Sequence, residues 1–246
     1  VRVESIEELV STAGLMGYSK SFPRGRRMGV VTSSGGGCNI IADLASNEGL
    51  ALPAWHDDTV TRLRTMLPPF AHVLNPLDTT GFGHARERPR PTKAEDDLME
   101  MAMDDPGIDF VYSMMTPLPS TRPEDPTWIE SRMTIIGDIV KASPVPIFLS
   151  SNTCLDIDEY PQSLLAQNDL YLLPGADLAL RSIGSLVRWV DQRDRLAAIE
   201  PVEPIEARHR DDVRVGVWAE DEGRDLLAAA GVPVVPSELV RSADEA

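Results

Sequence analysis

The stretch Met28-Gly29-Val30-Val31-Thr32 is a compact apolar run, and Ser33-Ser34-Gly35-Gly36-Gly37 follows it directly. A short apolar run bounded by turn residues predicts a buried parallel strand. Beyond the glycines, Ile40, Ile41, Leu44 and Ala45 repeat at helical spacing up to Asn47–Gly49. The chain therefore opens with strand, glycine turn and helix, a unit whose partners are other parallel strands.

The same rhythm continues. Leu50–Pro53 is a candidate strand, and Asp57 is placed to cap a helix reaching Leu67. Ala71–Leu74 runs extended into Asn75-Pro76-Leu77-Asp78, which the spacing puts on a loop. Thr92 and Glu95 form a capping-box pattern for a helix over 92–103. Strands are expected over 108–114, 145–150 and 170–173, and helices over 126–142, 159–168 and 175–196. An amphipathic helix is expected over Ser5–Leu15, with Ile6, Leu9, Val10 and Ala13 on its apolar face. This alternation predicts an α/β fold, doubly wound and flavodoxin-like, with a five-stranded parallel sheet and helices on both faces. In such a sheet, ligands bind outside the strand C-termini at the topological switch point.

The flavodoxin-like domain is expected over 1–198. Residues 199–212 are Pro-rich and charged and read as a linker, and 213–246 as the truncated start of a further domain. About 30 residues cannot bury a core of their own. A first residue that is Val rather than Met, with a helix already under way, reads as the middle of a longer protein.

The formal net charge of −16 argues against nucleic acid and against an anionic membrane surface as partners. No apolar run approaches the roughly 20 residues that span a bilayer, and the N-terminus lacks the pattern of a signal peptide. Two cysteines, Cys38 and Cys154, lie far apart with no CxxC and no clustered His, so neither a disulfide framework nor a metal site is indicated. The expected location is cytoplasmic.

Chemistry concentrates in the turn. A helix start leaves backbone N–H groups unpaired at the positive end of the helix dipole. Glycines admit an anion to those groups without Cβ atoms in the way. Ser33, Ser34, Gly35, Gly36, Gly37, Cys38 and Asn39 are therefore candidates for binding phosphate, with the amides of residues 36–39 as donors. A plain strand-to-helix turn explains the same residues, and the residues alone leave both readings open. The pattern is neither a G-x-G-x-x-G fingerprint nor a P-loop. An exposed Cys38 at a helix start would have a depressed pKa, but with no His partner in the sequence a structural cysteine is the expected reading. Asn75 and Asp78 are candidates to shape a ligand cleft, although Asn and Asp also serve turns through their own backbone. The loop 81–91 carries His84, Arg86, Arg88 and Arg90 in an otherwise acidic chain; an anion clamp and a solvated loop both fit it. No Ser-His-Asp order or carboxylate pair stands out.

Several segments resemble one family. The run from Met28 to Asp43 is similar to the strand, Gly-Gly and helix segment of the NDP-forming acyl-CoA synthetases, relatives of succinyl-CoA synthetase. Val1–Leu9, Pro23–Arg27, Leu67-Pro68-Pro69 and Asn75-Pro76-Leu77-Asp78 occur in the same order in that family. Glu220–Pro233 resembles the opening of its ATP-grasp domain, so the resemblance spans nearly the whole chain. It implies a fragment of an acid–CoA ligase that converts an acid, CoA and ATP to acyl-CoA, ADP and phosphate. An acyl phosphate forms first, and a histidine then carries the phosphoryl group between sites. This chain resembles the second flavodoxin-like domain, whose helix start stabilises a phosphohistidine carried by a preceding domain.

The resemblance further implies that this fragment binds no cofactor and holds no catalytic side chain, and that ATP, Mg and CoA belong to the full-length enzyme. Its partners would be the CoA-binding, phosphohistidine and ATP-grasp domains and a small carboxylic acid; a homodimer is compatible with this. The chain departs from the family's pattern in its third glycine, followed by Cys38-Asn39, and in the Arg-rich loop. Two other readings stay open: a non-catalytic anion- or partner-binding module, and a flavodoxin-type FMN carrier. With 5% aromatic residues, the chain offers little to flank a flavin.

Overall fold

The computed structural model describes residues 2–80, 92–115, 117–154, 156–200, 215–242 and 244. The chain forms two compact units, Val1–Ile199 and Glu200–Ala246. The first contains, in chain order, α1 (Ile6–Tyr18), β1 (Met28–Thr32), α2 (Gly35–Asn47), α3 (Asp57–Met66), β2 (Leu77–Asp78), α4 (Thr92–Met103) and β3 (Phe110–Met114). It continues with α5 (Thr127–Ala142), β4 (Ile147–Ser150), α6 (Glu159–Gln167), β5 (Leu172–Leu173) and α7 (Ala176–Ala197). The described part of the second unit contains α8 (Glu220–Ala229), which ends at Gly231 with a positive φ of 81° and buries none of its residues.

The five strands pair in the order β2-β1-β3-β4-β5, all parallel. This is the doubly wound, flavodoxin-like order, and its switch point lies between β1 and β3. Met28 to Thr32 register with Phe110 to Met114, and Val111 to Met114 with Ile147 to Ser150. Because successive strand residues face opposite sides, Val31, Val111 and Leu149 enter a core beneath α3, α4, α5 and α6. Met28, Val30, Phe110, Tyr112 and Phe148 enter a second core beneath α1, α2 and α7. Burial on both faces accounts for the uninterrupted apolar run of β1. In the second core the Tyr112 hydroxyl bonds Ser150 Oγ at 2.6 Å, and burial pushes its pKa up to about 12.

Four expectations change. Leu50–Pro53 is not a ladder strand: it makes one bridge, Arg27 to Ala51. The strand beside β1 is instead Leu77–Asp78, inside the segment expected to be a loop. Helix α3 is capped by His56 rather than Asp57, the His56 Nδ1 accepting from the Asp58 amide at 3.4 Å. Helix α1 runs on to Tyr18 and buries the opposite face from the one expected. Glu8, Ser11, Thr12 and Leu15 face inward, whereas Ile6, Leu9, Val10 and Ala13 are exposed. The reason is its neighbour: α7 presents Ser182 and Ser185, which bond Ser11 Oγ at 2.8 Å and Glu8 Oε1 at 3.3 Å. The proposed Thr92–Glu95 capping box and the loop 81–91 lie outside the described side chains.

The start of the sheet is fixed by a charged pair. The Arg27 amide, Nε and Nη2 all donate to Asp109, at 2.9, 3.0 and 2.7 Å. Burial alone would raise the Asp109 carboxyl, but the Arg27 hydrogen bonds and charge outweigh it and leave the pKa below the usual carboxylate value. A carboxyl lowered by folding stabilises the protein above its unfolded pKa, about 3.9, and ceases to do so as the pH falls through the folded value. Urea unfolding is therefore expected to find Asp109→Asn less stable than the native chain at pH 7, with the gap closing below about pH 4. A gap independent of pH would contradict this.

Candidate functional site

The site is built where β1 ends. Ser34 caps α2 with extended backbone (φ −148°, ψ 109°), its Oγ accepting from the Gly37 amide at 3.1 Å. The Cys38 amide bonds the Ser34 carbonyl at 2.9 Å, the first full helical bond. Of the amides expected to donate to an anion, those of Gly37 and Cys38 are thus engaged by Ser34, and that of Asn39 lies one residue further into the helical ladder. Among the described residues no hydrogen bond engages the Gly35 or Gly36 amide, and both glycines are exposed. Of the expected donors the Gly36 amide is therefore open, and the Gly35 amide beside it, because Ser34 itself closes the first turn.

The three glycines differ in what they tolerate. A Cβ on Gly37 would meet Met114 Cε at 2.5 Å, and one on Gly35 would meet Asp78 Oδ2 at 2.8 Å. A Cβ on Gly36 would meet nothing within 4 Å. A side chain at 35 or 37 would therefore displace Asp78 or Met114, whereas close packing gives no reason for glycine at 36.

Asp78 ends β2, which pairs with Thr32 and so brings its carboxylate against Gly35. The Thr80 amide and Oγ1 donate to its Oδ1 at 2.9 and 2.5 Å; among the described residues no hydrogen bond ends on Oδ2. The lowered pKa that an exposed Cys38 would have does not arise. The thiol is half-buried, and burial first, then the charge of Asp78, push its pKa up to about 11. It is not an activated nucleophile.

Asn75 serves the fold, and its side chain does not face the cleft expected for it. Its Oδ1 accepts from the Val30 amide at 3.0 Å, while its Nδ2 donates to the carbonyls of Met28 at 2.8 Å and Pro53 at 2.9 Å. The carboxamide thereby occupies the edge of β1 that two-residue β2 leaves bare.

Sequence reasoning passed over Thr32, whose side-chain hydroxyl is buried without a hydrogen-bond partner among the described residues. A hydroxyl inside an apolar strand was the available signal. At the switch point a cavity of about 40 Å³ is lined by Thr32, Ser33, Thr79, Ser113 and Met114, among others. That is room for a water-sized group. A larger cavity, of about 460 Å³, opens at the other end of the sheet beside Tyr18, Lys20, Asn168 and Tyr171, away from every predicted site residue. Among the described residues no group of three or more His, Cys, Asp or Glu could hold a metal ion, and no helix is long and apolar enough to cross a membrane.

Two substitutions test this geometry. Asn75→Ala strands three buried backbone groups and should cost about 3 kcal/mol in urea unfolding; a loss under about 1 kcal/mol would contradict the strand-edge role. Asp78→Asn removes one of the two influences raising the Cys38 pKa. Iodoacetamide should then alkylate Cys38 several-fold faster at pH 9, and an unchanged rate would contradict the placement of Asp78.

No protein-family model matches the chain. The ADP-forming acetate–CoA ligase II subunit alpha of Pyrococcus furiosus is 28% identical over 110 residues, 45% of this chain and 22% of that protein. The ADP-forming acetate–CoA ligase I of Archaeoglobus fulgidus is 22% identical over an alignment covering 100% of this chain and 34% of that protein. The chain thus spans about a third or less of these curated relatives. Among solved structures, the dinucleotide forming acetyl-coenzyme A synthetase 1 of Ca. Korarchaeum cryptofilum, in complex with phosphate and ADP, superposes with a TM-score of 0.62 at 19% identity. It covers 80% of this chain and 40% of that one, and what it shares is the fold.

Proposed function

We propose that this chain, which is similar to the ADP-forming acetate–CoA ligases, is the second flavodoxin-like domain of an acid–CoA ligase of the NDP-forming acyl-CoA synthetase superfamily. Its part is to receive a phosphohistidine at the start of α2. The Gly35 and Gly36 amides donate to phosphoryl oxygens at the positive end of the helix dipole. Such fixed donors stabilise charge without reorganising during transfer.

The observation that carries this reading is Gly36, an exposed glycine with an open amide in a place where packing would accept a side chain. A glycine inside a helix costs roughly 0.5–1 kcal/mol relative to alanine. Close approach of a ligand to the backbone gives that cost a purpose.

Asp78 favours a phosphohistidine over free phosphate. A carboxylate beside the open amides repels a lone anion. It attracts a group that is anionic at one end and donates a proton at the other. A phosphorylated imidazole in its ring-protonated, imidazolium form fits: phosphoryl oxygens on the Gly35 and Gly36 amides, and the N–H of the unphosphorylated ring nitrogen on Asp78 Oδ2. On this reading Asp78 is a positioning residue for the incoming ring.

The reaction of the whole enzyme joins a small carboxylic acid to CoA while ATP is cleaved to ADP and phosphate, in the cytoplasm. ATP, Mg and CoA are assigned to other domains of the enzyme. The residues from 213 onward are proposed to open an ATP-grasp domain. This chain alone is expected to form no acyl-CoA from ATP, acetate and CoA in a thioester assay.

Gly36→Ala separates folding from function. The variant is expected to be about 0.5–1 kcal/mol more stable in urea unfolding. In the complete enzyme it should lower the rate of phosphohistidine turnover at least tenfold, because the methyl group stands in the path of the phosphoryl oxygens. Unchanged turnover in a folded variant would remove the reading.

A further inference from the structure

Helix α1 has two faces, and among the described residues of its own unit one of them is packed. Glu8, Ser11, Thr12 and Leu15 lie against α7, and Ser11 and Glu8 are bonded there by Ser182 and Ser185. At 100° per residue, Ile6, Val10, Ala13 and Gly17 form a stripe on the opposite side, with Leu9 at its margin. Ile6 is 76%, Leu9 54% and Val10 65% exposed. Scattered apolar residues on a surface need no explanation, but a contiguous apolar helix face backed by a buried polar one does. An isolated domain would gain by turning such a helix over. It is held in the costly orientation by hydroxyl and carboxylate contacts to α7, so its apolar stripe is left available for something else.

We propose that this stripe is the docking surface for a neighbouring domain of the same enzyme, presenting an apolar face with basic side chains at its rim. Three observations select that occupant. The Archaeoglobus fulgidus relative aligned over the whole chain is about three times as long, so most of such an enzyme lies outside this fold. Ala13 and Gly17 carry almost no side chain, which lets a partner element approach the helix backbone closely. Exposed Glu7 borders the stripe, and no lysine or arginine lies within the helix itself; a basic rim on the partner complements it. The inference rests on the reading of this chain as one domain of a larger ligase.

The test compares Val10→Cys in this chain and in the complete enzyme that carries it. N-ethylmaleimide alkylation is followed by mass spectrometry of the peptide containing residue 10, so Cys38 and Cys154 do not interfere. Ala13→Cys serves as a second probe of the same stripe, and Ala142→Cys, exposed at the end of α5, as the control. The docking surface predicts that positions 10 and 13 react at least tenfold more slowly in the complete enzyme than in this chain, while position 142 reacts equally in both. Equal rates at positions 10 and 13, or equal slowing at position 142, would overturn it. Protection in this chain alone that grows with concentration would also overturn it, and would assign the stripe to a second copy. Acyl-CoA formation by the complete enzyme is assayed separately. A complete enzyme that protects these positions but makes no acyl-CoA would refute the ligase reading and leave the docking surface standing.

Discussion

The Asn75 carboxamide is the contact on which the geometry of the site depends. Strand β1 sits inside the sheet, but its neighbour β2 is two residues long and covers only Val31 and Thr32. Below them the backbone of Met28 and Val30 would face an empty edge in a buried place, which is costly for unpaired amide groups. Asn75 supplies one acceptor and two donors at that edge, as a strand residue would. The same anchor fixes where Leu77 and Asp78 begin to pair. Asp78 consequently lies across from Thr32 and against Gly35, rather than out in solvent.

The turn after β1 then divides its work. Ser34 closes the first turn of α2, Gly37 makes room for Met114, and Gly35 makes room for Asp78. Gly36 does none of these, and its amide stays open. A helix start with open amides attracts anions; a carboxylate at the same place repels them. The pairing of the two narrows the ligand from any anion to one carrying its own proton donor. That pairing, added to the glycines, is the electrostatic ground for proposing a protonated phosphoimidazole as the ligand.

Much of this was legible in the amino-acid order. The strand, glycine turn and helix from Met28 to Asn47 followed from periodicity, because a strand buried on both faces must be apolar throughout. The parallel, doubly wound sheet followed from the alternation of elements. What escaped was set by long-range partners. Leu77–Asp78 is too short to show a strand period, and its pairing depends on Asn75 reaching back to β1. The burial of α1 is inverted because Ser182 and Ser185 lie far away in the chain. A helix start would lower the Cys38 pKa only if the thiol were exposed, and its burial and the nearness of Asp78, both products of tertiary structure, are not visible in the sequence. The expected run of donors narrows to Gly36, joined by Gly35, because the Ser34 hydroxyl and carbonyl take the Gly37 and Cys38 amides.

The central claim is that Gly35, Gly36 and Asp78 together receive a phosphorylated imidazole. Its most direct test is a ¹H–¹⁵N NMR titration of the chain with phosphoimidazole and, separately, with inorganic phosphate. The account predicts that the Gly35 and Gly36 amides shift with both, that phosphoimidazole binds more tightly, and that Asp78→Asn abolishes the difference. Absence of shifts at these two amides, or tighter binding of inorganic phosphate by the native chain, would contradict it.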